Sequence, residues 1–225
     1  MADERDLDQV RKDIDLIDRE IQALLSRRAQ CAQRVADIKL GEVLAARERG
    51  EPVAEVVYYR PEREAQVLRG IIERNPGPLA GETVAHIFRE IMSACLALEK
   101  PLQVAYLGPE GTFTQAAAIK HFGHAAVCEP QTTIANVFAQ VESGDCNYGV
   151  VPVENSTEGM VSHTLDNFMD SPLKISGEVE LRISHHLLVP AGVSADSITR
   201  ICAHQQALAQ CRNLSLIHIS EPTRL

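Results

Sequence analysis

A positive charge lies in the middle of an apolar repeat near the start of the chain. Residues 7 to 39 carry apolar side chains at the a and d positions of a heptad, and Arg28 occupies one of those positions. A charge on such a seam is costly unless an anion meets it, either a side chain of a neighbouring helix or a ligand. Lys39 follows on the same face, about 20° round the helix. Arg28 and Lys39 therefore indicate an anion-binding site, with an ion pair between helices as the alternative.

Arg11 is a third candidate site residue on this helix. It lies roughly 25 Å from Arg28 and about 100° off that face, so it cannot reach the same ligand from the same helix. It could reach that ligand from an antiparallel symmetry mate, because isologous dimers produce shared sites in twos. A helix on the order of 50 Å long also needs a partner for its seam. The sequence predicts a homodimer.

Further along the chain, two connecting turns place polar side chains at the starts of predicted helices. In YLGPEGTFTQAAA a Gly-Pro-x-Gly turn separates a strand from a helix, with Thr112 and Thr114 as caps. Backbone N–H groups at such a helix start form an anion site, although most such turns only connect elements. In VVPVENSTEGMVSHTLD, four hydrogen-bonding side chains crowd the second turn: Glu154, Asn155, Ser156 and Thr157. That is more than capping needs, which favours a ligand site.

Three helices would position the cations. The heptad helix is followed by a polar loop over 41–59, with partial helix near 42–49. A second helix begins at residues 60–62, with proline at its first helical position, and stops at the breaker run 75–78. A third carries apolar residues at helical spacing over 84–98.

The sequence changes character beyond Pro101. Short apolar runs, among them VAYL, YGVVPV and ELRISHHLLVP, alternate with helical stretches. Strand–helix alternation predicts a mostly parallel sheet with helices on its faces. We therefore expect a domain boundary at about residue 101.

The composition narrows the class of protein. The net charge of -9 argues against nucleic-acid or membrane-surface partners, and no apolar run approaches the roughly 18 residues of a membrane helix. The six cysteines are scattered, with no CxxC and no metal-ligand spacing. We expect a cytoplasmic protein with reduced thiols and no metal.

The helical part resembles the helical class of chorismate mutase. The likeness lies in VRKDIDLIDREIQALLSRRAQCAQRVADIKL, YRPEREAQVL and IFREIMSACLALE, and it covers residues 5 to 100. It implies an all-α domain of three helices that intertwines with a second copy, giving a dimer with two active sites. Matched by position, the chorismate contacts are Arg11 of the second protomer, Arg28, Lys39, Arg63, Glu64 and Glu99.

The chemistry of that family requires such a set. Chorismate rearranges to prephenate in one pericyclic step with no nucleophile, metal or cofactor. The enzyme holds the dicarboxylate compact and stabilises charge on the breaking ether oxygen. The resemblance gives the catalytic roles to Arg11, Arg28, Lys39 and Glu99, and it implies that Glu64 holds the ring hydroxyl. If Glu99 acts as a neutral donor, burial should raise its pKa while Lys39 opposes the rise.

Three positions depart from the family pattern. Arg60 stands where the aligned position is acidic, and Cys95 stands where a serine is found. Glu99 replaces the glutamine of some members. A solvated helix face is the alternative for Arg60 and Arg63.

The two polar turns together resemble the catalytic domain of prephenate dehydratase. That family has two α/β lobes, like a periplasmic-type ligand-binding protein, and converts prephenate to phenylpyruvate, water and carbon dioxide. The resemblance assigns the prephenate contacts to Thr112, Thr114, Asn155, Ser156, Thr157 and Gln210. Ala203 stands where serine is common, and the Thr-Arg-Phe motif that carries the family's proton donor does not occur in this chain.

The likeness ends at about Arg212. The tail NLSLIHISEPTRL has no helical period, so we expect 213–225 to be out-of-frame or adapter-derived, with a divergent native end as the alternative. The predicted domains are thus 1–100, an incomplete dehydratase at 101–212 that is inactive and lacks its phenylalanine-binding regulatory domain, and this tail. A second hypothesis is a non-catalytic helical dimerisation module fused to a small-carboxylate-binding domain. A dimerisation module, however, has no use for Arg28 on its seam.

Overall fold

The computed structural model describes residues 2–51, 59–155, 159–194, 197–203, 205–211 and 219–222. The chain folds as two compact units, Met1–Pro152 with Ser162–Val179 and Val153–Val161 with Glu180–Leu225. The first unit holds the long helices and a parallel sheet, and the second holds short strands and one short helix. No helix in the described ranges is both long enough and apolar enough to cross a membrane.

Helix α1 spans Ala2–Glu48 and is 47 residues long. The helix continues through Gly41, so the loop expected to begin there is wrong. The partial helix expected near 42–49 is confirmed, as a continuation of α1 to Glu48. A glycine inside a helix costs about 1 kcal/mol relative to alanine. The leucine, alanines and charged residues that follow Gly41 are strong helix formers, and they outweigh that cost.

Gly50 ends this helix. Its φ of 70° lies in the left-handed region that favours glycine. The N–H of Gly50 donates to the Arg47 carbonyl at 3.1 Å, and the N–H of Glu51 donates to the Ala46 carbonyl at 3.0 Å. Together these bonds form a Schellman motif, which satisfies carbonyls that a helix end leaves without partners.

The apolar seam of α1 is exposed in the single chain. Its apolar a and d side chains are about half exposed, from 48% at Ile21 to 60% at Leu24. A helix with an apolar stripe of this length normally buries it against another element. Within the described ranges the seam has no such cover.

Helices α2 (Pro61–Glu73) and α3 (Gly81–Ala97) pack on each other. Proline at the start of α2 sets the helical φ and lacks an N–H that would need a partner, as the sequence predicts. Leu68, Ile71 and Ala85 form the buried core between the two helices. The structure therefore confirms a helical first part of three helices.

A three-stranded parallel sheet follows, with the order β2-β1-β3. Its strands are β1 (Gln103–Leu107), β2 (Val127–Gln131) and β3 (Tyr148–Val150). Helices α4 (Phe113–Phe122) and α5 (Ile134–Glu142) are the crossovers, and α6 (Ser162–Asp170) packs against α5. The predicted parallel sheet is confirmed.

The two crossover helices cover opposite faces of the sheet. Successive residues of a strand point to opposite sides. Val104 packs with Ala118 of α4, whereas its neighbour Ala105 packs with Val137 of α5. This three-layer arrangement buries β1 on both sides, so Val104, Ala105 and Tyr106 have no exposed surface.

The second unit contains two small sheets. Strands β4 (Glu154–Asn155) and β5 (Gly159–Met160) form an antiparallel pair. Strands β6 (Arg200–Ala203) and β7 (Ile219–Pro222) pair in parallel, and α7 (Gln205–Gln210) lies between them in sequence. β7 falls inside residues 213–225, whose foreign origin stays a prediction.

One strand prediction is wrong. The run ELRISHHLLVP, residues 180–190, is neither strand nor helix. A strand needs a neighbour to take its backbone N–H and C=O groups. No strand of the described ranges pairs with this run, so its alternating apolar residues do not suffice.

Candidate functional site

Lys39 of α1 and Glu99, just beyond α3, interact electrostatically. Partial burial raises the pKa of the Glu99 carboxyl, and the positive charge of Lys39 works against that rise. Both side chains are half-buried. The direction of this pKa shift agrees with the sequence-based expectation. An ammonium group donates hydrogen bonds, and a carboxyl donates one only while it is protonated.

The other two candidate site residues of α1, Arg11 and Arg28, stand apart from each other. Arg28 is half-buried, whereas Arg11 is exposed and pairs with Asp8 of the preceding turn at 3.4 Å. Because α1 is one continuous helix, Arg11 and Arg28 are separated by about 25 Å along its axis. One chain therefore does not bring them to the same small ligand.

Glu64 of α2 is held from two sides. Its carboxylate lies 3.4 Å from the Nε of Arg89 on α3, and only 16% of its side chain is exposed. The Tyr59 hydroxyl donates a hydrogen bond to the same carboxylate. Burial raises the pKa of Glu64, and the Arg89 charge and the two hydrogen bonds oppose that rise. Burial first, and then the charge of Glu64, raise the pKa of Tyr59 well above its ordinary value.

Arg63 lies on the exposed side of the same helix. Its guanidinium donates to Gln66 Oε1 at 2.7 Å. An open cavity on this surface is lined by Arg60, Glu62, Arg63, Gln66 and Arg69. A guanidinium that binds a neutral amide remains able to take up a carboxylate. Cys95 of α3 is buried, and its thiol is only a weak hydrogen-bond donor.

Tyr59 and Arg89 are the residues that sequence reasoning missed. Both lie inside segments that carry the family resemblance, YRPEREAQVL and IFREIMSACLALE. Their spacing gives no hint that they converge on Glu64, because they come from different elements. A tyrosine directly before the Arg-Pro start of α2 was the available signal.

The first polar turn of the α/β part is occupied by its own hydrogen bonds. Thr112 is the N-cap of α4 as predicted: its Oγ1 accepts from the Gln115 N–H at 3.4 Å. The Thr112 hydroxyl donates to the Leu107 carbonyl at 3.2 Å, and the Gly111 N–H donates to Gln115 Oε1 at 2.6 Å. Thr114 lies within the first turn of the helix and not at the cap. Two of the backbone N–H groups that could bind an anion therefore already have partners.

The other predicted prephenate contacts belong to the second unit or lie outside the described residues. Asn155 is on β4 and is half-buried. Gln210 ends α7, and its Oε1 lies 2.6 Å from the Nε2 of His185. Ser156 and Thr157 are outside the described residues. The side chains in the described ranges include no group of three or more His, Cys, Asp or Glu residues that could hold a metal ion.

Comparison with known proteins divides the chain in the same two parts. Residues 10–100 match the family model "Chorismate mutase type II", and residues 104–219 match the model "Prephenate dehydratase". The helical part and the α/β part therefore match one family model each.

Similar curated proteins are named bifunctional chorismate mutase/prephenate dehydratase. The one from Pseudomonas aeruginosa is 57% identical over 212 residues, which are 94% of this chain and 56% of that protein. The one from Aquifex aeolicus is 43% identical over 212 residues, 92% of this chain and 55% of that protein. The chain thus spans about half the length of the curated relatives it matches. A solved structure of chorismate mutase (form II) from Thermus thermophilus is 34% identical over 42% of this chain and 93% of that one, with a TM-score of 0.33.

Proposed function

The chain belongs to the prephenate dehydratase family and carries a chorismate mutase type II domain before it, and we propose that this helical domain rearranges chorismate to prephenate. The observation that carries the proposal is the electrostatic interaction of Lys39 with the half-buried Glu99 carboxyl, whose pKa is raised by burial. The rearrangement moves charge onto the ether oxygen as its bond to carbon breaks. An ammonium and a neutral carboxyl that donate to one oxygen would stabilise that charge.

The remaining contacts hold the substrate. Arg28 and Arg63 are suited to its carboxylates, since a guanidinium can bind a carboxylate through two parallel hydrogen bonds. Glu64 would accept the ring hydroxyl. An ionised carboxylate accepts about four hydrogen bonds, so Glu64 can take this one in addition to those of Tyr59 and Arg89. The step is intramolecular, so positioning and charge stabilisation are what the side chains must supply.

We also propose that the helical domain works as a homodimer. The exposed apolar seam of α1 would be covered by the same seam of a second copy. In an antiparallel arrangement Arg11 of the partner subunit would come level with Arg28 and Lys39. Such a dimer contains two equivalent sites, each completed by one residue from the other chain.

For the α/β part we propose prephenate binding. Thr112 and Thr114 are the candidate contacts in the first unit, and Asn155, Ser156, Thr157 and Gln210 are the candidates in the second. The family resemblance favours a periplasmic-binding-like fold of two lobes and a cytoplasmic place in phenylalanine biosynthesis. This chain contains no Thr-Arg-Phe triplet, so we propose that it does not itself dehydrate prephenate.

Loss of the ultraviolet absorbance of chorismate tests the mutase proposal. Wild-type protein should consume chorismate, and Arg28→Ala should lower kcat/KM by at least about a hundredfold, the scale on which removal of one stabilising donor acts. Arg27→Ala is the matched control, because Arg27 is an exposed arginine one position off the seam. No consumption by the wild type would favour a non-catalytic dimerisation module. Equal effects of the two variants would mean that Arg28 has no specific role in the reaction.

A further inference from the structure

We infer that Tyr59 is a positioning residue for the proposed mutase reaction, anchored in the α/β part and acting through Glu64. The inference rests on the proposed function, in which Glu64 holds the ring hydroxyl of chorismate. It joins two observations: the ring of Tyr59 packs in the core of the α/β part, which we also call the sheet domain, and its hydroxyl donates to Glu64.

The ring of Tyr59 belongs to an aromatic cluster of the α/β part. Its centroid lies 5.8 Å from that of Phe122 on α4 and 5.4 Å from that of Tyr148 on β3, both in edge-on geometry. The rings of Phe122 and Tyr148 are 5.2 Å apart and complete the trio. Tyr59 also packs on the buried cluster that contains Val104 and Ala118. Edge-to-face pairs stabilise such a cluster beyond the area they bury.

This packing determines where the Tyr59 hydroxyl lies. A tyrosine side chain has two rotatable bonds before its rigid ring, so a ring fixed by neighbours also fixes the oxygen at its tip. The oxygen reaches Glu64 on α2, whose other partner is Arg89 on α3 at 3.4 Å. The Glu64 carboxylate is therefore oriented both by the helical domain and by the sheet domain.

A second contact holds the same two parts together. Glu90 of α3 accepts the backbone N–H of His124, after α4, at 3.0 Å, and its other oxygen lies 3.0 Å from His124 Nδ1. The side of α3 that faces the sheet domain is thus fixed independently of Tyr59. Loss of the Tyr59 hydroxyl should for that reason leave the domain contact in place and change only the orientation of Glu64.

Whether Glu64 contacts a reacting atom determines which kinetic constant should change when the Tyr59 hydroxyl is lost. The ring hydroxyl is not altered in the rearrangement, so Glu64 would bind substrate and transition state about equally. Weakening such a contact raises KM and leaves kcat nearly unchanged. A residue that only supported the fold would instead lower the amount of active enzyme, which lowers kcat at constant KM.

Steady-state chorismate kinetics on the full chain test the inference. Tyr59→Phe keeps the ring and removes the hydroxyl, and it should raise KM by about tenfold, the value of one hydrogen bond to a charged group. Glu64→Gln should raise KM similarly, and Tyr59→Phe should add little to it because both changes weaken the same charge-assisted contact. Tyr106→Phe is the matched control: it removes the hydroxyl of a fully buried tyrosine that has no hydrogen-bond partner among the described residues.

The anchor in the sheet domain has its own variant. Phe122→Leu removes one ring of the aromatic trio. It should raise KM in the wild-type background but not in the Tyr59→Phe background. An unchanged KM for Tyr59→Phe, or KM effects of Tyr59→Phe and Glu64→Gln that multiply, would overturn the inference while the mutase function stands.

A second measurement is independent of turnover. A hydrogen bond to the ionised form lowers the pKa of a carboxyl, so its removal raises that pKa. Carbon-13 NMR titration of Glu64, which faces Tyr59 and Arg89, should show an upward shift in Tyr59→Phe and none in Tyr106→Phe. If wild type did not consume chorismate, the proposed function would fall and this titration would still decide the Tyr59–Glu64 contact. No shift in Tyr59→Phe would reject it.

Discussion

Ser93 of α3 lies directly against Gly123 at the end of α4. A Cβ placed on Gly123 would stand 2.5 Å from the Cβ of Ser93 and 2.6 Å from its Oγ, closer than such atoms approach in proteins. Gly123 also has φ 82° and ψ 169°, a conformation that side-chain-bearing residues rarely adopt. The contact lets the helical part and the sheet part approach closely beside the Glu90–His124 hydrogen bonds.

We therefore predict that Gly123→Ala is strongly destabilising. Backbone strain costs on the order of 1–3 kcal/mol and overpacking adds a similar amount. Gly144→Ala is the matched control, because Gly144 follows α5 with φ 81° and has open space around its Cβ position. It should cost about 1–2 kcal/mol, the typical cost of one left-handed residue. Urea unfolding of each variant gives the two free energies.

A double-mutant cycle separates the clash from the strain. Ser93→Gly removes both atoms that the new methyl group would meet, so it should cancel part of the cost of Gly123→Ala. The strained φ and ψ remain in the double variant, which keeps the rest of the cost. Fully additive effects would mean that Ser93 and Gly123 are not in contact in solution.

The shared active site predicts complementation between two inactive dimers. Arg11→Ala and Arg28→Ala should each abolish chorismate consumption, because each removes one cation from both sites of its homodimer. After subunit exchange, a heterodimer contains one site that lacks both arginines and one that has both. Mixing should therefore restore up to about a quarter of the wild-type activity per chain, when half of all dimers are mixed.

The exchange itself needs a separate measurement. Native mass spectrometry of tagged subunits would show whether heterodimers have formed. Confirmed heterodimers without recovered activity would mean that Arg11 of the partner subunit does not complete the site, and the antiparallel arrangement would have to be abandoned.

The helical elements could be predicted closely because local signals define them. The proline at residue 61 starts α2, and the breaker run at 75–78 separates it from α3. The loop expected at Gly41 failed for an equally physical reason: one glycine is a weak signal, and the residues after it favour helix. The helix is actually terminated by Gly50, which has a left-handed conformation. Nothing in the sequence alone distinguishes Gly50 from Gly41 as the end of the helix.

The surroundings of the site could not be predicted in the same way. Tyr59 meets Phe122 and Tyr148 only after the sheet has formed, and no periodicity relates those three positions. The same holds for the convergence of Arg89 on Glu64. Lys39 and Glu99 were paired from a resemblance, and the structure supplies the electrostatic interaction between them.

We predict that the chain releases no phenylpyruvate from prephenate above the acid-catalysed background. The chain has no Thr-Arg-Phe triplet to supply the proton donor, and Ala203 lacks a hydroxyl. Absorbance of phenylpyruvate in alkali measures the product. Ala203→Ser should not restore turnover, because a binding hydroxyl does not replace a proton donor. Dehydration by the wild-type chain would show that another side chain donates the proton.

The last prediction concerns the protonation of Glu99. Its carboxyl can donate to the ether oxygen only while neutral, and the carboxylate would repel the charge that develops there. Burial raises the pKa of Glu99, with Lys39 opposing, so the neutral form persists to higher pH than for a free glutamic acid. The active form lies below this pKa and is lost as pH rises through it. Mutase kcat/KM should therefore fall with rising pH, through an apparent pKa above the ordinary glutamate value.

Glu99→Gln separates this role from simple packing. The amide keeps a hydrogen-bond donor at nearly the same place and does not titrate, so its kcat/KM should be flat over the range in which the wild type declines. At high pH the variant should exceed the wild type. Glu82→Gln is the control, an acidic residue in the first turn of α3, and it should keep the wild-type profile. If wild type and Glu99→Gln shared one profile, Glu99 would be a solvated residue at the helix end, and the fall in activity would have to come from another group.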